Sequence, residues 1–171
     1  MKKRVLFLLP LFLGACSDSG ESPVITIEKL YVVDVNPSDG ESDQVSEKVD
    51  YANQMDKLPA LKVGDQVDAI LSLDGNGAEL KTFKLQNDEA IATKLIYNEM
   101  EVSTEGNLTD TEKGQLRFKD GVTQTRVKVM ATIEHVDKNG DVKLAFYLSS
   151  KAECEGAQEE IGLKTTVEEA E

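Results

Sequence analysis

Apolar and polar residues alternate along much of the chain after residue 24, and this two-residue period constrains the fold more than any other sequence feature. Such alternation is typical of β-strands with one buried face. It is clearest in two segments, where Val127, Val129, Ala131 and Ile133, and then Val142, Leu144, Phe146 and Leu148, occupy every second position. Asn139-Gly140 between them is the preferred pair for a tight type I′ turn. The sequence therefore predicts a β-hairpin in which Ile133 faces Phe146 and Ala131 faces Leu148.

The same period predicts further strands. One apolar row consists of Ile25, Ile27, Tyr31, Val33 and Val35, interrupted at Lys29, and another of Val67, Ala69, Leu71 and Leu73. In the strand that follows, Leu80 is out of phase with Phe83 and Leu85, which predicts a β-bulge near Lys81 or Thr82. Residues 88–102 fit either a strand or a helix, and the β-propensity of Thr93 and Tyr97 favours a strand. Short strands near 116–118 and 161–167 complete the set.

About seven strands with frequent turns and little helix predict an all-β fold, an antiparallel β-sandwich of immunoglobulin-like type. A closed barrel is the alternative architecture. The chain contains no Trp, so the Cys…Trp…Cys core of true immunoglobulin domains is absent. That absence bears on the subtype and not on the class. We assign residues 24–171 to this one domain, whose length is sufficient for an independent core.

The amino terminus has the three regions of a secretory signal peptide. Lys2, Lys3 and Arg4 precede an apolar run over residues 5–13, which contains a proline. The run is far shorter than the ~20 residues of a membrane-spanning helix. Leu13-Gly14-Ala15-Cys16 resembles the lipobox of bacterial lipoproteins, whose type II signal peptides are cut just before a lipidated cysteine. The resemblance implies removal of the signal peptide 1–15 and lipidation of Cys16.

A lipidated Cys16 implies an address at the cell envelope, because several acyl chains (palmitate among them) hold a protein permanently. Ser17, in place of the aspartate that favours inner-membrane retention, implies the outer membrane and leaves open on which side the domain lies. The acid-bearing stretch 17–21 resembles export signals of surface lipoproteins in the Bacteroidota, and the body resembles small immunoglobulin-like envelope lipoproteins of that group. A simple solvated tether is the alternative interpretation of this stretch. We assign 16–23 to the lipidated tether.

Acidic residues strongly outnumber basic ones. The chain has 32 Asp and Glu against 19 Lys and Arg, a formal net charge of −13, and cleavage before Cys16 removes three basic residues and no acid, giving −16. Such a surface repels phosphate backbones, so we predict no nucleic-acid partner. It also resists anionic membranes, which leaves the lipid on Cys16 as the membrane contact. With Cys16 acylated, we expect Cys154 to be a free, unreactive thiol, since Glu153 and Glu155 disfavour a thiolate.

Few residues qualify for catalysis. His135 is the single histidine, and the hairpin register places it opposite Leu144 at a strand end, where a local hydrogen bond is its expected role. The sequence contains no Gly-x-Ser-x-Gly, no phosphate loop and no His-rich metal pattern. We therefore predict that the protein is not an enzyme and has no cofactor and no metal. A small hydrolase that uses paired carboxylates is the less favoured alternative.

Two turns resemble cation sites without completing the pattern. Asp137-x-Asn139-x-Asp141 matches the opening of a calcium loop, but Val142 and Leu148 stand where a glycine and a bidentate glutamate are required. Asp74, Asn76 and Glu79 form a similar loose cluster. Since Asp and Asn are also common turn residues, we predict turns rather than calcium sites at both places.

What remains is a lipid-anchored binding or assembly module with an envelope protein or a glycan as its partner. Loops carry recognition in such folds, and the longest candidates span 41–60 and 103–114. A surface glycan-binding accessory lipoprotein is the alternative function. Its sugar platforms would be Tyr51, Tyr97 and Tyr147, the tyrosines outside the predicted apolar rows.

Overall fold

The computed structural model describes residues 21–33, 49–136 and 140–166, apart from the side chain of Asn107. These residues form eight strands and two short 3-10 helices. The strands are β1 (Val24–Val33), β2 (Gln66–Asp74), β3 (Leu80–Asn87), β4 (Ile91–Tyr97), β5 (Gln115–Arg117), β6 (Gln124–Ile133), β7 (Asp141–Ser150) and β8 (Ala157–Lys164), and the helices are Met55–Lys57 and Glu105–Asn107. The predicted all-β class is confirmed. No helix within the described ranges has the length and hydropathy needed to cross a membrane.

The strands form two four-stranded antiparallel sheets, in the orders β1-β2-β6-β4 and β5-β3-β7-β8. Without the three-residue β5, this is the order of a constant-type immunoglobulin domain, in which strands A, B, E and D form one sheet and C, F and G the other. The predicted immunoglobulin-like sandwich is therefore confirmed by its topology, and the closed barrel is not what forms. The additional strand β5, which the seven-stranded constant-type domain lacks, pairs with the edge of β3.

The core lies between the two sheets and is built from the alternating apolar positions. Val67, Ala69, Leu71 and Leu73 of β2 are fully buried, as predicted. The rings of Phe83 and Phe146, from neighbouring strands of the second sheet, stack with centroids 6.3 Å apart. Because every second residue of a strand enters this core, the intervening residues form two outer faces, one on each sheet.

The predicted hairpin between 127–133 and 142–148 is wrong. β6 pairs with β2 and β4, whereas β7 pairs with β3 and β8 in the other sheet. The two apolar rows therefore face each other across the core instead of lying side by side. The alternation of each strand is compatible with both arrangements, since each strand buries one face in either case. Asp137, Lys138 and Asn139 of the predicted turn lie outside the described residues.

Bulges shift the alternation in two strands. The pairing of β1 with β2 slips between Ile27 and Lys29, so Leu30 is buried and Tyr31 is only partly so. The apolar row predicted through Tyr31 is therefore wrong beyond the bulge, and Val35 of that row lies outside the described residues. In β3 the pairing with β7 slips between Leu80 and Thr82, which confirms the predicted bulge.

Candidate functional site

A groove of about 630 Å³ crosses the outer face of the sheet β5-β3-β7-β8. Its floor follows from the register, which aligns Gln86, Ala145 and Glu160 in one row of neighbouring strands. The adjacent row contains Lys84, Tyr147 and Gln158. Ala145 is the small residue among long ones, so the side chains around it stand above a depression. We call this the sheet groove.

The turn between Asp110 and Gln115 forms one wall of the sheet groove, with Glu112 and Lys113 lining it. Asp110 and Gln115 exchange two backbone hydrogen bonds of 2.8 Å. The Asp110 carboxylate also accepts a hydrogen bond from the Lys113 backbone N–H at 3.1 Å and pairs with its Nζ at 2.7 Å. The Lys113 ammonium, followed by its backbone N–H, holds the pKa of Asp110 below its usual value. This wall is therefore a structured turn.

Gly114 fastens the same turn to the sheet. Its φ of +66° is a left-handed conformation that favours glycine. A Cβ on Gly114 would lie 2.8 Å from the carbonyl oxygen of Leu85. The Leu85 backbone N–H donates to the Gly114 carbonyl at 2.8 Å. A larger residue would push the turn away from β3 and widen the groove.

The opposite end of the sheet groove carries charged and amide groups. Asp88 accepts a hydrogen bond from the Lys143 backbone N–H at 2.8 Å. The Lys143 ammonium lies 3.6 Å from the Glu160 carboxylate, and both side chains are about half exposed, so the pair contributes little stability. Within the described residues Lys84 has no ion pair. The site therefore offers hydrogen-bond donors and acceptors of both charges to a polar ligand.

The three tyrosines predicted as sugar platforms do not come together. Tyr147 lines the sheet groove, and Tyr97 lines a second groove beside β4. Tyr51 packs against the core, and its backbone N–H donates to the Leu30 carbonyl at 2.7 Å. The predicted loop 103–114 contributes Glu112 and Lys113 to the sheet groove. Of the predicted loop 41–60, residues 41–48 lie outside the described residues.

His135 is exposed after the end of β6, and its backbone N–H donates to the Ala90 carbonyl at 3.3 Å. The predicted position opposite Leu144 is wrong, because β6 and β7 belong to different sheets. The side chain therefore does not end an apolar row shared with β7.

The loose acidic cluster at the β2–β3 turn is built as a turn. The Asp74 carboxylate accepts the Asn76 backbone N–H at 2.7 Å, and Glu79 pairs with Lys151. Across the described ranges, no group of three or more His, Cys, Asp and Glu side chains is placed to hold a metal ion. At the other predicted cluster, Asp141 is exposed at the start of β7, while Asp137 and Asn139 lie outside the described residues.

Cys154 is disulfide-bonded in this structure, contrary to the free thiol expected from the sequence. Acylation at Cys16 and a disulfide to Cys154 within one chain exclude each other, since a thioether has no thiol to oxidise. Cys16 itself lies outside the described residues.

Residues 16–165 match the sequence family described as "Domain of unknown function (DUF5035)". The chain belongs to this family. Among curated proteins no sequence matches it. One similar solved structure is titled "BspA_C_mut", with a TM-score of 0.44 and 12% sequence identity over 84% of this chain and 47% of that one. The chain thus spans about half the length of that structure.

Sequence reasoning missed most of the sheet groove. Lys84, Gln86 and Glu160 are polar residues at alternating strand positions, which on their own indicate only a solvated face. Ala145 was the available signal, because it is a small residue at an outward position of β7. Its meaning depends on which strands flank β7, and the hairpin prediction assigned the wrong neighbour.

Proposed function

We propose that this DUF5035 member is a non-catalytic, lipid-anchored protein of the cell envelope, held to the outer membrane through Cys16, and that it serves as a binding or assembly module. The observation that carries the binding role is the sheet groove, in which a fixed turn and two rows of polar side chains surround Ala145. Sites on sheets hold their geometry better than sites on loops. The groove volume is within the ordinary range for ligand sites.

One observation supports the anchor, and a second bears on how the anchor would orient the domain. The family match begins at residue 16, the residue that cleavage would make the first of the processed chain. In addition, the chain is already fastened to the sandwich at Glu21, whose backbone N–H donates to the Asn76 carbonyl at 3.3 Å. The Asn76 side chain donates in return to the Ser22 carbonyl at 3.2 Å. Residues 16–20 then span at most about 18 Å between lipid and domain, which would hold the β2–β3 turn toward the membrane.

Several acidic side chains outside the sheet groove are committed to ion pairs, whereas Asp88, Glu112 and Glu160 line the groove itself. Glu28 binds Arg126, Asp50 binds Lys29, and both Glu79 and Asp120 bind Lys151. A glycosidase needs one carboxyl group as an acid and a second as a base or nucleophile across an open cleft. Turnover of any glycan in a broad panel, lost when a single acid is changed to its amide, would replace the non-catalytic assignment with the hydrolase alternative.

The anchor is tested by the intact mass of the protein extracted from membranes. We expect a chain that starts at Cys16 and carries acyl groups, and a Cys16→Ser variant that retains its signal peptide or leaves the membrane fraction. The same spectrum decides the state of Cys154, since an acylated chain must show it as a thiol or bonded to another molecule. A full-length, unacylated native chain would contradict the proposal.

The binding role is tested by filling the sheet groove. Ala145→Leu places a larger side chain on its floor without adding charge, and Thr132→Leu is the matched variant on the outer face of the other sheet. We expect crosslinked envelope complexes in intact cells to be lost with Ala145→Leu and retained with Thr132→Leu. Equal complexes in the wild type and Ala145→Leu would move recognition away from the groove.

Glycan binding is the second candidate because of one residue. Tyr147 places an aromatic ring in the groove beside amide side chains, including Gln86 and Gln115, the combination that stacks on and hydrogen-bonds to sugars. On a glycan panel Tyr147→Ala should abolish binding, whereas Tyr51→Ala should leave it unchanged. Loss with Tyr51→Ala alone would contradict this site.

A further inference from the structure

Four strands form the edges of the two sheets, and each edge has backbone groups that its neighbour does not pair. Three of these edges are wholly or partly covered by the chain itself. Along β5, Asp110 bonds to Gln115, and Ser103 bonds to Arg117. Along β1, the Asp50 carboxylate accepts a hydrogen bond from the Leu30 N–H, and the Tyr51 N–H donates to the Leu30 carbonyl. On β8, the Lys164 carbonyl accepts a hydrogen bond from the Leu61 N–H.

Within the described residues, the edge of β8 is bonded only at Lys164 and that of β4 only at Ile91, and β4 is distinguished by a groove that runs along it. The Glu134 backbone N–H donates to the Ala90 carbonyl at 2.9 Å, which sets the phase in which β4 bonds to β6. Antiparallel strands alternate the direction of their backbone groups residue by residue. Ala92, Lys94 and Ile96 therefore bond toward β6, while Thr93, Leu95 and Tyr97 direct their N–H and C=O groups toward the open edge.

These outward groups have no hydrogen-bond partner in the described part of the chain. Ile91, at the start of the strand, is the exception. Its N–H donates to the Asp88 carbonyl at 3.0 Å, and its carbonyl accepts from the Asn87 side chain at 2.6 Å. The backbone N–H and C=O groups of Thr93, Leu95 and Tyr97 therefore remain, three donors and three acceptors spaced to pair with another strand.

A second groove, of about 420 Å³, runs along this edge. One wall is β4 from Thr93 to Tyr97, five consecutive residues, and the other includes Thr111 and Glu112. A groove lined by consecutive strand residues follows the backbone, since a groove on one face would meet every second residue. Ile96, one of the lining residues, leaves 46% of its surface exposed. The groove is thus open to an extended chain.

We infer that the β4 edge accepts an extended segment of another protein as an added strand. Backbone pairing would supply the affinity, and alternate side chains the selectivity. Lys94 is exposed and has no ion pair among the described residues, while Glu99 and Glu112 also line the groove. We therefore expect the segment to present one acidic residue to Lys94 and an apolar residue to Ile96, and to be otherwise uncharged. A second copy fits less well, because it brings another chain of net charge −13.

Amide exchange tests the open edge without a ligand. In the full chain in detergent micelles, the amides of Thr93, Leu95 and Tyr97 should exchange at least about tenfold faster than those of Lys94 and Ile96, because only the latter donate to β6. Equal protection along all five residues would mean that the edge is already covered and would overturn the inference.

Binding is tested with a synthetic acetylated heptapeptide, Thr-Val-Thr-Glu-Val-Thr-Val. N-methylation of one alternate set of its amides should weaken binding by about tenfold or more, and N-methylation of the other set should not, because only one set faces β4. A lysine in place of the central glutamate should also weaken it. No binding up to about 1 mM, or equal loss for both methylated sets, would contradict strand addition.

On the protein side, Thr93→Pro removes an outward N–H without breaking the pairing to β6, and Thr93→Val is its matched control. The peptide should lose affinity for the first and keep it for the second. The N-methyl comparison remains decisive if Thr93→Pro fails to fold. A wild-type dimer that Thr93→Pro dissolves would replace the inference with self-pairing. Ala145→Leu, which fills the sheet groove, should leave the affinity for this peptide unchanged. Failure of the groove proposal is thus distinguishable from failure of strand addition.

Discussion

The two outer faces of the sandwich come from the same alternation, yet they differ in how their side chains are used. Ion pairs bridge the strands of the first, which we call the closed face although a depression of about 430 Å³ lies beside Ser72 and Arg126, whereas the sheet groove crosses the second. On the sheet β1-β2-β6-β4, the nearly buried Asp68 carboxylate binds the Lys128 ammonium at 2.8 Å and the Gln66 amide at 2.6 Å. Arg126 binds Glu28 through two hydrogen bonds of 2.7 and 3.0 Å. On the other sheet, Ala145 separates charged side chains that are weakly paired.

The difference shows what alternation leaves undetermined. A polar residue at an outward position either pairs with a cross-strand neighbour or remains available to a ligand, and strand register decides which. Long complementary side chains in adjacent rows bridge the strands of the first face, whereas one small residue leaves room for the sheet groove on the second. The predictions below test this contrast between the two faces.

The largest effect should come from the core that both faces share. Phe146→Ala removes the partner of the Phe83 ring from a fully buried site and should lower the free energy of unfolding by about 3–5 kcal/mol. Denaturant unfolding followed by circular dichroism measures it. A loss below about 1 kcal/mol would mean that the two sheets do not pack as described.

The next largest effect should be the difference in stability cost between removing an acidic residue from one face and from the other. Asp68→Ala leaves Lys128, whose side chain is about one-third exposed, without its partner and should cost about 2 kcal/mol. Glu160→Ala on the grooved face should cost less than about 0.5 kcal/mol, because its pair with Lys143 is exposed and long. Equal costs in denaturant unfolding would remove the energetic difference between the faces.

Gly156, which directly precedes β8, and Gly162 within β8 should respond to substitution with opposite signs. A Cβ on Gly156 would lie 2.6 Å from the Leu148 carbonyl oxygen, whereas one on Gly162 would meet nothing within 4 Å. Gly156→Ala should therefore destabilise the protein by about 1–2 kcal/mol, and Gly162→Ala should stabilise it by about 0.5 kcal/mol. Thermal unfolding of the two variants compares them directly, and a shift of the same sign in both would contradict the packing around β8.

The smallest effect concerns pH at the closed sheet. The pKa of Asp50 is held below its usual value by the Lys29 ammonium and by the backbone N–H groups of Leu30 and Ala52. A lowered folded-state pKa stabilises the protein above the ordinary carboxyl pKa, and this stabilisation is lost as pH falls through the folded value. Between about pH 5 and pH 3, the wild type should therefore lose more thermal stability than Asp50→Asn. Parallel pH profiles would contradict this role for Asp50.

The sequence was sufficient for the fold class and insufficient for the pairing. Alternation identified β2, β6 and β7 and placed the bulge in β3, because burial of one face is a local property of each strand, whereas β-propensity decided for a strand at β4. It assigned the wrong partner to β7. An apolar row on β7 is compatible with a paired β6 in the same sheet and equally with a β6 that faces it from the other sheet. The sheet groove depends on that partner, so Lys84 and Glu160 could not be singled out.

The most direct test of recognition on the grooved face is site-specific photocrosslinking in intact cells. A photoreactive phenylalanine analogue replaces Tyr147 in the groove or Tyr31 on the closed face, in otherwise identical full chains. We expect a discrete crosslinked species from position 147 that Ala145→Leu removes, and none from position 31. The same species from both positions, or from position 31 alone, would contradict recognition on the grooved face.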